Sequence, residues 1–312
     1  MPGDTLSVAP GALGRQARWA LPAGVFVGIA LPDLAALLRP VLTPAVIGTL
    51  AAALLRLDWA QLRDAARRPG LLAAITGFQL VVSPLLFWLF ATSTGLPADL
   101  VVSLVLQAAA SPIGSAAVFA MILGLDGALA MIGAVAGTLL LPVSLTAVVA
   151  LLLPHAGVQV DLAAFFARVS LLVAAPFALT LLVRQTVGAA RLARNDDLLG
   201  GINVLLLVVF AIAVMDGVTA RLLRDPATIG TLLLMACAAA LVLHGIGYWV
   251  FARAGRTVAF STALLSGNRN MGLMLAVTAG TAGETFSLYV GIAQIPMYFA
   301  PLLLTPLVRR GL

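Results

Sequence analysis

Residues 266–270 read Ser-Gly-Asn-Arg-Asn, inside the stretch TVAFSTALLSGNRNMGLMLAVTAG, which is otherwise apolar for the length of one membrane span. Arg269 carries a permanent positive charge on a planar fork of N–H donors, a shape that matches carboxylate or phosphate bidentately. Asn268 and Asn270 add an amide on either side of it. A charge at mid-membrane costs about 2.5–3.5 kcal/mol on insertion scales, so it needs partners. A second polar island, Ser111-Pro112-Ile113-Gly114-Ser115, interrupts another apolar stretch, and Gln79 lies in a third. These residues suit recognition of an anion. No Cys–His pair, metal-ligand spacing or paired carboxylates stand at membrane depth, so neither an enzyme, a metal site nor a cofactor is expected.

Composition sets the frame for these islands. Of 312 residues, 62% are hydrophobic and only 10% charged, against about one-quarter charged in soluble domains. Apolar runs of about 20 residues recur throughout, as a hydrocarbon core of about 30 Å requires of a helix. The expected class is an all-α integral membrane protein. Turn residues and charges divide it into ten transmembrane helices at about 19–38, 41–57, 71–93, 98–122, 127–153, 161–183, 201–220, 227–252, 257–279 and 285–307. The first is read as a retained span, not a signal peptide.

The net charge of +6 comes entirely from arginine, and its placement reports topology rather than a nucleic-acid partner. With alternating spans, Arg15, Arg18, Arg56, Arg63, Arg67, Arg68, Arg184, Arg191, Arg194, Arg253, Arg256, Arg309 and Arg310 fall on one side. Arg39, Arg221 and Arg224 fall on the other. This asymmetry predicts both termini in the cytoplasm and a multi-pass protein of the cell's inner, or plasma, membrane. Cys237 stands alone, which excludes a disulfide framework.

Spans two to five and seven to ten start at matching places, offset by about 160 residues, with five spans per half. That is the arithmetic of two inverted five-helix repeats, a mark of secondary transporters. Helix breakers fall at corresponding points: Pro112 and Gly114 in span four, Gly267 to Asn270 in span nine. Both spans are expected to be broken, crossing helices, with Ser115 and Asn270 as N-caps of their second halves. Two converging half-helix N-termini carry partial positive charge suited to an anion. Asp33, Arg168 and Asp216 are expected to neutralise one another, which leaves Arg269 for half-helix carbonyls, the substrate, or both. His244, the one intramembrane histidine, is a candidate proton carrier or a packed, hydrogen-bonded residue.

In these pieces the chain resembles the bile acid:sodium symporter family, over nearly all of residues 19 to 308. LRLDWAQLRDAARRPGLLAAITGFQLVVSPLLFWLF looks like the family's second-to-third span connection and third span. SPIGSAAVFAMILGLDGALA looks like its broken fourth span and the turn into the fifth, and SGNRNMGLMLAV like its broken ninth. The resemblance implies a single transmembrane domain, residues 1–312. Its panel would comprise about 19–57 and 161–220, its core about 71–153 and 227–307, with substrate between them. The residues themselves make Arg269, Asn268, Asn270, Ser111, Ser115 and Gln79 the expected substrate-binding set. The resemblance implies sodium-ligand positions that this chain fills differently: the family's glutamate and glutamine fall at Leu265 and Arg269, its Ser-Asn at Ala117 and Val118, and its fifth-span hydroxyls near Ala130 and Ala134. Only Gln79 keeps its ligand type. A hard cation wants several oxygen ligands, so sodium is not the expected partner. The expected function is secondary transport of a small organic anion by alternating access, as uniporter, exchanger or proton-coupled carrier. A sodium-coupled symporter with rearranged ion sites, and a non-transporting channel or sensor, are the alternatives; arsenite efflux is disfavoured because the fourth span lacks a cysteine.

Overall fold

The computed structural model describes residues 10–56, 68–279 and 281–311. Arg63 and Arg67, counted above in the topology, lie outside the described residues. The protein is all-helical, with no strand among the described residues. Helix α1 is Pro10–Ala30. Among the described residues, six helices are long and apolar enough to cross a membrane: α2 (Pro32–Leu55), α3 (Pro69–Ser93), α6 (Gly127–Leu152), α7 (Leu162–Val187), α8 (Asp196–Arg224) and α9 (Pro226–Ala254). The expected fourth span is two pieces, α4 (Ala98–Ala109) and α5 (Ser115–Ile122). The expected ninth is likewise two, α10 (Arg256–Gly267) and α11 (Met271–Thr278). A 29-residue helix, α12 (Gly283–Gly311), follows.

The first boundary differs from the expected 19–38. Helix α1 ends at Ala30 because Pro32 has no N–H to continue the ladder and disfavours helical dihedrals at Leu31. Residues 32–38 run through a tight 3-10 turn at Arg39–Val41 into the rest of α2.

Helices α1 and α2 lie on α8, and α7 lies on α2; α9 packs on α10 and α12, and α4 on α3 and α12. The large apolar side chains outside these contacts, such as Leu89, Val143, Leu151, Leu171, Leu205 and Trp249, are exposed on the outer surface. Water would penalise that surface, whereas hydrocarbon does not.

Charges sit at helix ends and pair across sequence. Arg56 donates from Nε and Nη2 to the Asp196 carboxylate at 2.8 and 2.9 Å, and Arg39 pairs with Asp216. The expected neutralisation of Asp33, Arg168 and Asp216 by one another is therefore replaced. Asp216 takes Arg39, Arg168 donates to the Ala279 carbonyl at 3.4 Å, and Asp33 has no ion pair among the described residues. The 3-10 turn at Arg39–Val41 places Arg39 beside Asp216, where α8 passes through a turn at residues 214–217. Asp225, in the connection before α9, accepts from the Thr228 hydroxyl at 2.6 Å and its N–H at 3.1 Å. Those bonds, the hydroxyl's first, hold its carboxyl below the usual carboxylate range.

Candidate functional site: the helix crossing and its cavities

Breaking two helices in mid-membrane strands backbone donors and acceptors that hydrocarbon cannot satisfy. Here the two breaks satisfy each other. Pro112 and Arg269 form an isolated antiparallel bridge. The Ile113 N–H donates to the Asn268 carbonyl at 2.9 Å, and the Asn270 N–H donates to the Ser111 carbonyl at 2.8 Å.

Arg269 reaches backward from this bridge and is fully buried. Its Nε donates to the Ser266 carbonyl at 2.6 Å, in the last turn of α10, and Nη1 donates to the Ala110 carbonyl at 2.8 Å, just past the end of α4. Nη1 also reaches the Gln79 carbonyl at 3.4 Å, and Nη2 donates to Ser83 Oγ at 3.2 Å. Helix C-terminal ends carry partial negative charge, so the guanidinium is solvated by the ends of both broken helices. The Gln79 carbonyl is free for a reason legible in the chain. Residues Phe78–Val82 form a π-type turn in which the Ser83 N–H bonds Phe78 instead of Gln79. Pro84, next along, has no N–H to offer.

The sequence-selected residues divide into two groups. Gln79, Ser111, Asn268 and Arg269 lie behind the bridge, each no more than 1% exposed. There Ser111 Oγ accepts from Thr138 at 3.3 Å. His244 meets the Ala240 carbonyl through Nδ1 at 2.7 Å. A carbonyl only accepts, so Nδ1 carries the hydrogen, and Nε2 is left to accept from Asn268 Nδ2 at 3.4 Å. The ring is thus held at both nitrogens.

The remaining pair, Ser115 and Asn270, lines a cavity of about 220 Å³ in front of the bridge. Asn270 caps α11, its side-chain oxygen accepting from the Leu273 N–H at 3.0 Å. Ser115 does not cap α5 as expected. Gly114, which has no side chain to bond, holds the cap position, and the carbonyls of Ile113 and Gly114 take the N–H groups of Ala116 and Ala117. The Ser115 hydroxyl is left beside the cavity. Asn270→Ala should cost about 1 kcal/mol of stability, read as a small fall in Tm of the purified protein. Ser115→Ala should leave Tm within error.

The cavity runs between α2 and α8 on one side and the N-terminal ends of α5 and α11 on the other, and Arg56 and Asp196 stand at its rim. A second cavity, of about 230 Å³, enters from the opposite end of α2 and α8, where Arg39 and Asp216 are among its lining residues. Gly272 borders both. A Cβ there would stand 2.8 Å from Phe210 Cε2 and 3.0 Å from Val46 Cγ2, so the partition between the cavities closes directly on the glycine backbone.

The positions at which the resemblance places sodium ligands are largely apolar. Leu265, Ala117, Ala130 and Ala134 are buried in one apolar cluster with Ile75 and Phe78. The nearby carbonyls of Ser266, Ala110 and Gln79 are taken by Arg269. Among the described residues, no group of three or more His, Cys, Asp or Glu side chains could hold a metal ion. Sequence reasoning anticipated the half-helix carbonyls as partners of Arg269 but missed Ser83 and the Gln79 carbonyl, and it read Arg56 only as a topology charge. Pro84 was the available signal for the first; nothing local marked the second.

No curated protein matches the chain. A family model described as the Sodium Bile acid symporter family matches residues 43–222, from α2 through the broken fourth span into α8. The match covers more than half of the chain, and with the apolar helices above it places this multi-pass membrane protein in the Sodium Bile acid symporter family, whose members are transporters.

Proposed function

We propose that the protein is a secondary transporter that moves a small organic anion by alternating access without the family's usual sodium sites. The observation that carries this reading is the first cavity, whose inner wall is formed by the N-terminal ends of α5 and α11. Both ends bring the partial positive charge of a helix N-terminus to one space, which suits an anion. The two cavities entering from opposite ends and meeting at Gly272 support a partition that opens alternately. In this reading the chain is two inverted five-helix repeats. The panel of about 19–57 and 161–220 rocks against the core of about 71–153 and 227–307, and both termini face the cytoplasm. Arg269 supplies from within the chain the positive charge that sodium supplies elsewhere. Asn270 and Ser115 face substrate, while Gln79, Ser111 and Asn268 hold the crossing. His244, bonded at both nitrogens, is given no proton-carrying step.

A thermal-shift screen of organic anions and neutral metabolites, each run in sodium, potassium and choline, tests this. Anions are expected to raise Tm equally in all three salts. A strict sodium requirement would favour a coupled symporter with rearranged sites. Counterflow in proteoliposomes should then show trans-acceleration, whereas flux that rises linearly without saturation would mean a pore.

A further inference from the structure

We propose that Arg56 is the residue that recognises the anionic group of the substrate at the first cavity, with Asp196 as a resting counter-ion that the substrate displaces. This rests on the transport reading above. Among the described residues lining the cavity, Arg56 is the one basic side chain and Asp196 the one acidic side chain. Arg269 is not available for the task. It is fully buried, and contact with a ligand would require it to release the half-helix carbonyls. The Arg56 side chain, in contrast, is 35% exposed and that of Asp196 51%.

The geometry at the rim is already that of carboxylate recognition. Nε and Nη2 of Arg56 hold the two Asp196 oxygens at 2.8 and 2.9 Å, the parallel fork that any carboxylate can occupy. The guanidinium lies against the backbone of Gly200, where a Cβ would stand 3.3–3.6 Å from Nη1, Cζ and Nη2. Asp196, Gly200 and Asn203 follow at helical spacing along one face of α8. Asn203 also lines the cavity, and its Oδ1 has no hydrogen-bond partner. A half-exposed ion pair contributes little to stability and exchanges partners cheaply, unlike a buried charge stripped of its acceptors. An anion moving in from the rim therefore meets a fork whose present partner it can replace, then the N-terminal ends of α5 and α11.

Two arms test this on the full-length protein. In the first, cholate and its neutral methyl ester are titrated against wild type, Arg56→Gln, Arg56→Lys and Asp196→Asn. Cholate affinity is expected to fall at least tenfold in Arg56→Gln, to fall less in Arg56→Lys, and to rise severalfold in Asp196→Asn, with the ester unaffected. A purely structural clamp would instead make both partners' removal act in the same direction, with equal losses of Tm. In the second arm, Ser115→Cys in a Cys237→Ala background reacts with sulfonatoethyl and trimethylammonium-ethyl methanethiosulfonate. The anion-to-cation rate ratio should fall at least fivefold on adding Arg56→Gln, whereas a screened field without contact changes it by less than about twofold. A ratio unchanged by Arg56→Gln overturns the proposal. Failure of cholate to bind any variant would count against the organic-anion reading, and the thiol-reagent ratios would still decide the role of Arg56.

Discussion

Arg269→Gln is expected to destabilise the protein by about 2–4 kcal/mol, because it strips buried acceptors of their donor. Arg269 serves three carbonyls and one hydroxyl, those of Ser266, Ala110, Gln79 and Ser83, contributed by three separate segments. A glutamine amide has two donors on a shorter stem and can meet at most two of these. Each buried acceptor left unmet costs about 1–3 kcal/mol. Relief of the guanidinium's own desolvation offsets part of that loss. Arg269→Lys keeps the charge but presents three donors from one point, so it should fall between wild type and glutamine. Melting of the purified protein in detergent reads the order directly. Unchanged melting with lost anion binding would instead put the guanidinium at the substrate and refute its role as a tie between the half-helices.

Gly267→Ala should be still more damaging, at about 3 kcal/mol or more, the upper end of what overpacking a buried site costs. An added Cβ would stand 1.8 Å from both Cε1 and Nδ1 of His244. The ring is buried and held by Ala240 on one side and Asn268 on the other, so it cannot turn aside without losing both bonds. Asn268 in turn supplies the carbonyl that closes the bridge to Ile113. The damage would therefore reach the crossing itself. Small residues let membrane helices approach closely, and Gly267 on α10 and Gly247 on α9 both do so where these helices meet. A double-mutant cycle with His244→Ala isolates the clash. The double variant should recover more than 1 kcal/mol relative to the sum of the singles. Additive losses would show that the ring is not what Gly267 accommodates.

Much of the fold follows from properties that act locally along a chain. Apolar runs long enough to span, arginines at their ends, and breakers at Pro112, Gly114 and Gly267 each act through their own few residues, so they are legible from sequence. Cap chemistry is equally local, and Asn270 behaves accordingly. It failed at Ser115 because the carbonyls of Ile113 and Gly114, three residues before each donor, already take the N–H groups of Ala116 and Ala117.

Partnership is a different kind of property. That an arginine stood in a span was plain from the sequence, but its acceptors come from 159 and 190 residues away. Nothing between them constrains that distance. The same holds for Arg56 with Asp196 and Arg39 with Asp216, separated by 140 and 177 residues, which look on the sequence like ordinary charges at span ends. The sequence by itself therefore determined that the protein is a helical membrane protein with two interrupted spans and a buried cation. Only the tertiary structure decided which way that cation faces. Hydropathy and helix breaking accumulate residue by residue, whereas the solvation of a buried charge depends on whichever groups the folded chain brings within hydrogen-bond reach.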